Sequence, residues 1–328
     1  MQGNSLVRFV PLALVLLCWA LPPVMMRWLD GAGVDTLTMN TYRMFAGSLF
    51  LVPFGIWLNP RGMKQAVKNL HQFILPAALF TAAMLTWVYG LLRLGATVAA
   101  LIGRSDALFT VLIGSMFFAD ERAVARDWRF LAALAVALAG VAGVALFRDE
   151  SIAGGSLVLK GGFIGGVMLS LGSSFSWVCY VFSVKLMVRR IGSLVSFIMV
   201  ALIAAFMMLA ITAVVQAGGG ANLAMPLRLD FKTNLVLLGS GFIGVGVGGI
   251  LFYRSIDLIG VTVSQVSMLA LPILTGVAAG VFLGEKITVM QIMSGMLLLA
   301  GVGAIVIVRA AKGSTQLANH EKTMTIRA

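Results

Sequence analysis

The chain has 328 residues, of which 60% are apolar and only 11% are charged. A water-soluble domain of this length cannot hide so much apolar surface, so the composition describes an integral membrane protein. The net charge of +12 is no nucleic-acid signature here, because the basic residues fall between apolar runs, where they orient helices in a bilayer.

Ten apolar segments follow in order, each read as a membrane-spanning helix. The first, 9–28, holds Trp19 and ends in Pro22-Pro23 and Arg27. It has no small-residue cleavage site, so it reads as a retained span and not a signal peptide. The second, 36–57, carries Arg43, and the third, 73–92, carries Tyr89. The fourth, 96–118, places Arg104-Ser105-Asp106 near its middle, and the fifth is 130–147. A Gly-rich connection, 148–160, leads to the sixth, 162–186, with Trp177 and Tyr180, and then to the seventh, 193–215. A second long connection, 216–234, leads to the eighth, 235–253. Its run Gly244-Val-Gly246-Val-Gly248-Gly249 has no strand before it and reads as close helix packing, not as a dinucleotide loop. The ninth, 261–283, holds Ser264, Gln265 and Ser267, and the tenth is 289–308. The polar tail, 310–328, is predicted to be disordered and cytoplasmic. Cys18 and Cys179 lie inside apolar runs and read as small core residues. His71 and His320 have no ligand company, so neither metal nor cofactor is expected.

Placing the N-terminus in the cytoplasm puts about twice as many Lys and Arg on the cytoplasmic side as outside. Arg61, Lys64 and Lys68 form one such group. Both termini are therefore expected inside.

The chain repeats itself. Residues 89–122 align with 253–286 without a gap, pairing Tyr89 with Tyr253, Phe118 with Phe282, and Glu121-Arg122 with Glu285-Lys286. Leu138-Ala-Gly-Val141 answers Leu299-Ala-Gly-Val302, and Trp19 and Arg27 answer Trp177 and Lys185. Five helices per half is an odd number, so the second half enters the membrane inverted. The fold expected is an all-α membrane protein of ten transmembrane helices, built as two inverted five-helix repeats, 1–150 and 151–309. Secondary transporters use this plan, with the substrate site between the halves.

The Trp-x7-Arg/Lys pairing, the small-residue fourth helix ending in Phe-x-x-Glu-Arg/Lys, and the Leu-Ala-Gly-Val of the fifth resemble the drug/metabolite transporter superfamily, in its ten-helix EamA-like branch. The resemblance spans roughly residues 10–308. It implies an inner-membrane carrier, often an exporter of amino acids or other small metabolites, with a central cavity. Arg43 falls where many such proteins carry an Arg. Pro272, late in the fourth helix of the second half, has Leu108 as its partner in the first, near Arg104 and Asp106.

Charged residues at mid-membrane are expensive, roughly 2.5–3.5 kcal/mol each on insertion scales, and usually face a cavity or a partner. Arg43 and Asp106 lie at depths differing by about 5 Å, so they could pair as a clamp, or serve a charged substrate or a proton. Arg104 and Asp106 sit about 200° apart on a regular helix, so one would meet the cavity and the other a neighbour. The candidate substrate-binding set is Arg43, Arg104, Asp106, Trp19, Trp177, Tyr89, Tyr180 and Gln265. The function expected is a secondary transporter of amino acids or small polar metabolites, with the lipid bilayer as its medium and protons as a candidate coupling ion. A membrane enzyme acting on a lipid-linked substrate, or a nucleotide-sugar exchanger, is the alternative.

Overall fold

The computed structural model describes residues 9–117, 127–147, 162–259, 267–305, 307 and 308. Among them there is no strand. The helices are α1 (Val10–Gly31), α2 (Thr36–Leu58), α3 (Pro60–Lys68), α4 (Ile74–Leu94), α5 (Ala96–Gly103), α6 (Asp106–Phe117), α7 (Trp128–Leu146), α8 (Phe163–Ile191), α9 (Ser193–Ala217), α10 (Phe231–Gly241), α11 (Gly248–Ile259), α12 (Leu271–Leu283) and α13 (Val289–Ile305). Seven helical stretches are long and apolar enough to cross a membrane, and three shorter apolar helices stand where the fifth, ninth and tenth segments are expected. Large apolar side chains such as Ile164, Val214 and Val281 point outward, as lipid-facing residues must, while the interior mixes large apolar side chains such as Phe73, Phe130 and Met26 with buried polar ones such as Asn40, Thr41 and Arg43.

Caps explain most of the boundaries. Asp35, Asp127 and Asp230 each accept a backbone N–H of the helix that follows, from Thr38, Arg129 and Lys232 respectively. Such caps satisfy donors that a helix start leaves free. The Thr233 hydroxyl and nearby backbone N–H groups hold the Asp230 carboxyl below the usual range. Asn59 caps α3, accepting from Gly62 N at 2.8 Å, and reaches the Ile191 carbonyl at the end of α8. The sequence reading took the α3 stretch as a loop. It is a short helix with Met63 and Ala66 buried and Arg61, Lys64 and Lys68 exposed.

Three spans are not regular. The expected fourth helix is interrupted: Arg104 N and Ser105 N bond to Leu101 and Ile102, three residues back, and α6 starts afresh at Asp106. A short 3-10 turn, Met268–Ala270, precedes α12. Met268 stands 164 residues after Arg104, at the matching place in the sequence repeat. The eighth span holds a π-helical stretch, Phe242–Val247, between α10 and α11. There the glycine run does serve close packing. A Cβ at Gly241 would collide with the Arg43 backbone, one at Gly246 with Phe50, and one at Gly249 with Phe197.

The repeated Leu-Ala-Gly-Val motifs meet each other. A Cβ on Gly140 in α7 would strike the backbone of Leu298 in α13, and one on Gly301 in α13 would strike the backbone of Ala137 in α7. Gly140 and Gly301 are matched positions of the repeat, and so are Ala137 and Leu298.

Candidate functional site

Arg43 is buried in α2, 4% exposed. Its Nε donates to Ser240 Oγ of α10 at 2.8 Å and its Nη1 to Asn40 Oδ1 at 3.4 Å. Both partners are neutral, so the pairing with Asp106 considered from sequence is not formed. Depth along the membrane brought the two together on paper, but Arg43 faces α10. Trp19 of α1 lies on the same irregular span, its Nε1 donating to the Gly244 carbonyl at 2.9 Å.

From Trp19 a row of rings runs through the molecule. Trp19 meets Phe252 at 4.7 Å, Phe252 meets Tyr253 at 5.9 Å, and Tyr253 meets Phe197 at 5.5 Å between centroids. Phe197 meets Phe80 at 6.1 Å, and Phe80 contacts Trp177 and Tyr180 at 5.8 and 5.2 Å. Three sequence candidates, Trp19, Trp177 and Tyr180, thus belong to one wall. Tyr89 stands apart from it, toward Asp35 and Arg93. Gln265 lies outside the described residues.

The interrupted fourth span makes a second polar centre. Among the described residues, ion pairs join Arg27 with Asp30 and with Glu285. Arg104 and Asp106 form none among the described residues, although each lies within a membrane-length stretch. Arg104 Nε, Ser105 Oγ and Ser170 Oγ are buried without a hydrogen-bond partner. Against this turn lies a row of serines on α8 that sequence reading missed. Ser174 donates to the Gly103 carbonyl at 3.1 Å, and Ser173 to Ala83 in α4 at 2.9 Å. Their spacing of three and four residues, continuing to Trp177, was the available signal of one helix face.

A third cluster was also missed. Glu285, just past α12, accepts from Ala96 N at 2.9 Å and from Thr97 N and Thr97 Oγ1 at 3.4 and 3.3 Å. It therefore caps α5 from the other half of the chain. Gly95, with φ at +88°, leaves room for it, since a Cβ there would come within 3.1 Å of Glu285 Oε1. Arg27, buried at the end of α1, lies 3.6 Å from Glu285 and 4.0 Å from Asp30, and donates to the Leu92 carbonyl at 3.2 Å. The Trp-x7-Arg and Phe-x-x-Glu patterns of the sequence thus supply the two partners of one ion pair.

Residues 10–146 and 164–307 each match the EamA-like transporter family. Over 213 residues the chain is 28% identical to a Salmonella typhimurium protein named "Probable amino-acid metabolite efflux pump", covering 63% of this chain and 66% of that one. Over 105 residues it is 30% identical to the S-adenosylmethionine uptake transporter of Rickettsia bellii, covering 32% and 35%. The chain therefore spans just under two thirds of the first relative's length and about a third of the second's. A protein of known crystal structure superposes with a TM-score of 0.59 at 15% identity, over 94% of this chain and 99% of that one. That likeness speaks to the fold alone.

Proposed function

Because the chain belongs to the EamA-like transporter family of the drug/metabolite transporter superfamily, we propose a specific kind of multi-pass small-molecule transporter. It is a secondary carrier that exports or exchanges amino acids or related small polar metabolites by alternating access. The observation that carries the reading is the interruption of the fourth span at Arg104-Ser105. It leaves an Arg and an Asp without partners among the described residues, in a stretch long enough to cross the bilayer. Discontinuous helices with polar groups at mid-membrane are the usual setting of a transport path.

Two features favour the two-half plan. The 3-10 turn that begins at Met268 falls 164 residues after Arg104, and the contacts between α7 and α13 exchange under the repeat. The substrate class is supported by the names of the two relatives, since S-adenosylmethionine also carries an amino-acid head group. The excess of Lys and Arg on one side favours an inner-membrane orientation with both ends cytoplasmic.

The test is counterflow. Liposomes holding the purified protein are loaded with unlabelled L-amino acids and given a radiolabelled mixture outside. A carrier concentrates label transiently, and chromatography recovers it unchanged. Label entering no faster than into protein-free vesicles, or recovered as a different compound, refutes the reading.

A further inference from the structure

A guanidinium buried inside a membrane protein is stable only beside a counter-charge or a full set of acceptors. Arg43 has neither among the described residues. Its two bonds go to Ser240 and Asn40, and its Nη2 has no hydrogen-bond partner. Nη2 is the donor left over among the described residues, on a side chain only 4% exposed.

The guanidinium end faces the π-helical stretch. A Cβ on Gly244 would come 2.9 Å from Pro22 Cγ and 3.9 Å from Arg43 Nη2, so the bare glycine is what lets Pro22 and the guanidinium end lie this close to the stretch. The carbonyl of the same glycine is occupied by Trp19. Ser240 and Asn40 fix the guanidinium plane from two sides, leaving donors directed at whatever enters. Neutral acceptors on one edge and free N–H groups on the other make a receptor for a planar anion.

We propose that Arg43, held by Asn40 and Ser240 and with Nη2 left over beside Gly244, is an anion subsite that takes the carboxylate of the transported solute. The proposal deepens the carrier reading and rests on it. The subsite is built from α1 and α2 of the first half and α10 and the π-helical stretch of the second. A bound carboxylate would therefore touch both halves at once.

The test uses the counterflow assay with two sets of unlabelled competitors, L-amino acids and the amides of the same amino acids, which lack the carboxylate charge. In the wild-type protein the acids should compete at least ~10-fold better than the amides, the discrimination one lost charge-assisted pair produces. Arg43→Lys keeps the charge but not the fork, and should raise half-saturation ~10-fold. Gly244→Ala keeps the guanidinium but crowds Pro22 beside Nη2, and should weaken the acids selectively. Arg43→Gln should abolish counterflow while its unfolding midpoint stays equal to or above that of the wild type, because an unpaired buried charge has been removed.

If Arg43→Gln carries the mixture as well as the wild type, the subsite is wrong. If it loses both transport and stability, Arg43 is structural glue, and the proposal fails equally. Acids and amides competing alike would refute the subsite and leave the carrier standing. No counterflow from wild-type vesicles would refute the carrier reading, and the subsite with it.

Discussion

Removing the Glu285 carboxylate should be costly in a way that can be worked out from its contacts. Glu285→Ala strips the donors at Ala96 and Thr97 of their acceptor, and loss of a helix cap typically costs about 1 kcal/mol. It also takes away a carboxylate 3.6 Å from Arg27, whose side chain is 3% exposed. Breaking a buried pair outright costs roughly 3–5 kcal/mol. Arg27 keeps Asp30, at 4.0 Å, and the Leu92 carbonyl, so only about 2 kcal/mol of that should appear. The expected total is about 3 kcal/mol, on the order of a hundredfold in the folding equilibrium. Glu285→Gln keeps an acceptor for Ala96 N but no charge for Arg27, and should lose about 2 kcal/mol. The assay is denaturant unfolding of the detergent-solubilised protein, followed by circular dichroism, with Arg27→Ala and the double variant completing a cycle. A Glu285→Ala variant within ~0.5 kcal/mol of the wild type, or strict additivity with Arg27→Ala, would refute the cross-half cap.

Three further outcomes are expected. Asp106→Asn should insert normally and keep solute exchange in proteoliposomes but lose acceleration by a pH gradient, because the carboxylate forms no ion pair among the described residues and lies in a membrane-length stretch; retained pH-driven transport would rule out the proton role. Gly241→Ala should destabilise by roughly 1–3 kcal/mol in the same unfolding assay, as its methyl would enter the Arg43 backbone. A single cysteine at Lys64, on the exposed face of α3, should resist a membrane-impermeant thiol reagent in intact cells and react after lysis; labelling from outside would reverse the orientation.

The spans were legible because apolar runs near twenty residues long have one physical solution in a bilayer. Their irregularities were not. Arg104 has φ −70° and ψ −6°, close to helical values, and neither Gly nor Pro occupies the Arg104-Ser105 turn. Only the charges marked the place, as candidate site residues, and a regular helix was the expectation for the span that carries them. The glycines of the eighth span announced tight packing, which they provide, but the π register depends on what Arg43, Trp19 and Phe50 press against it. Arg43 itself was recognised as deep, while its direction around α2 was open until Ser240 fixed it. Arg27 and Glu285 were both noted as motif residues. Nothing local says that two motifs so distant in sequence belong to one contact.

The meeting of Gly140 with Leu298 and of Gly301 with Ala137 bears on the history of the chain. Each contact becomes the other when matched positions are exchanged, which is the signature of an isologous interface. On the proposed two-half plan, a single five-helix unit would need just such a self-complementary stripe to pair with an inverted copy of itself, while other matched positions, such as Arg104 and Met268, are free to differ. The stripe is a place where divergence stays constrained, since a side chain added at either glycine meets the backbone of the other copy, and neither half can drift there without its twin.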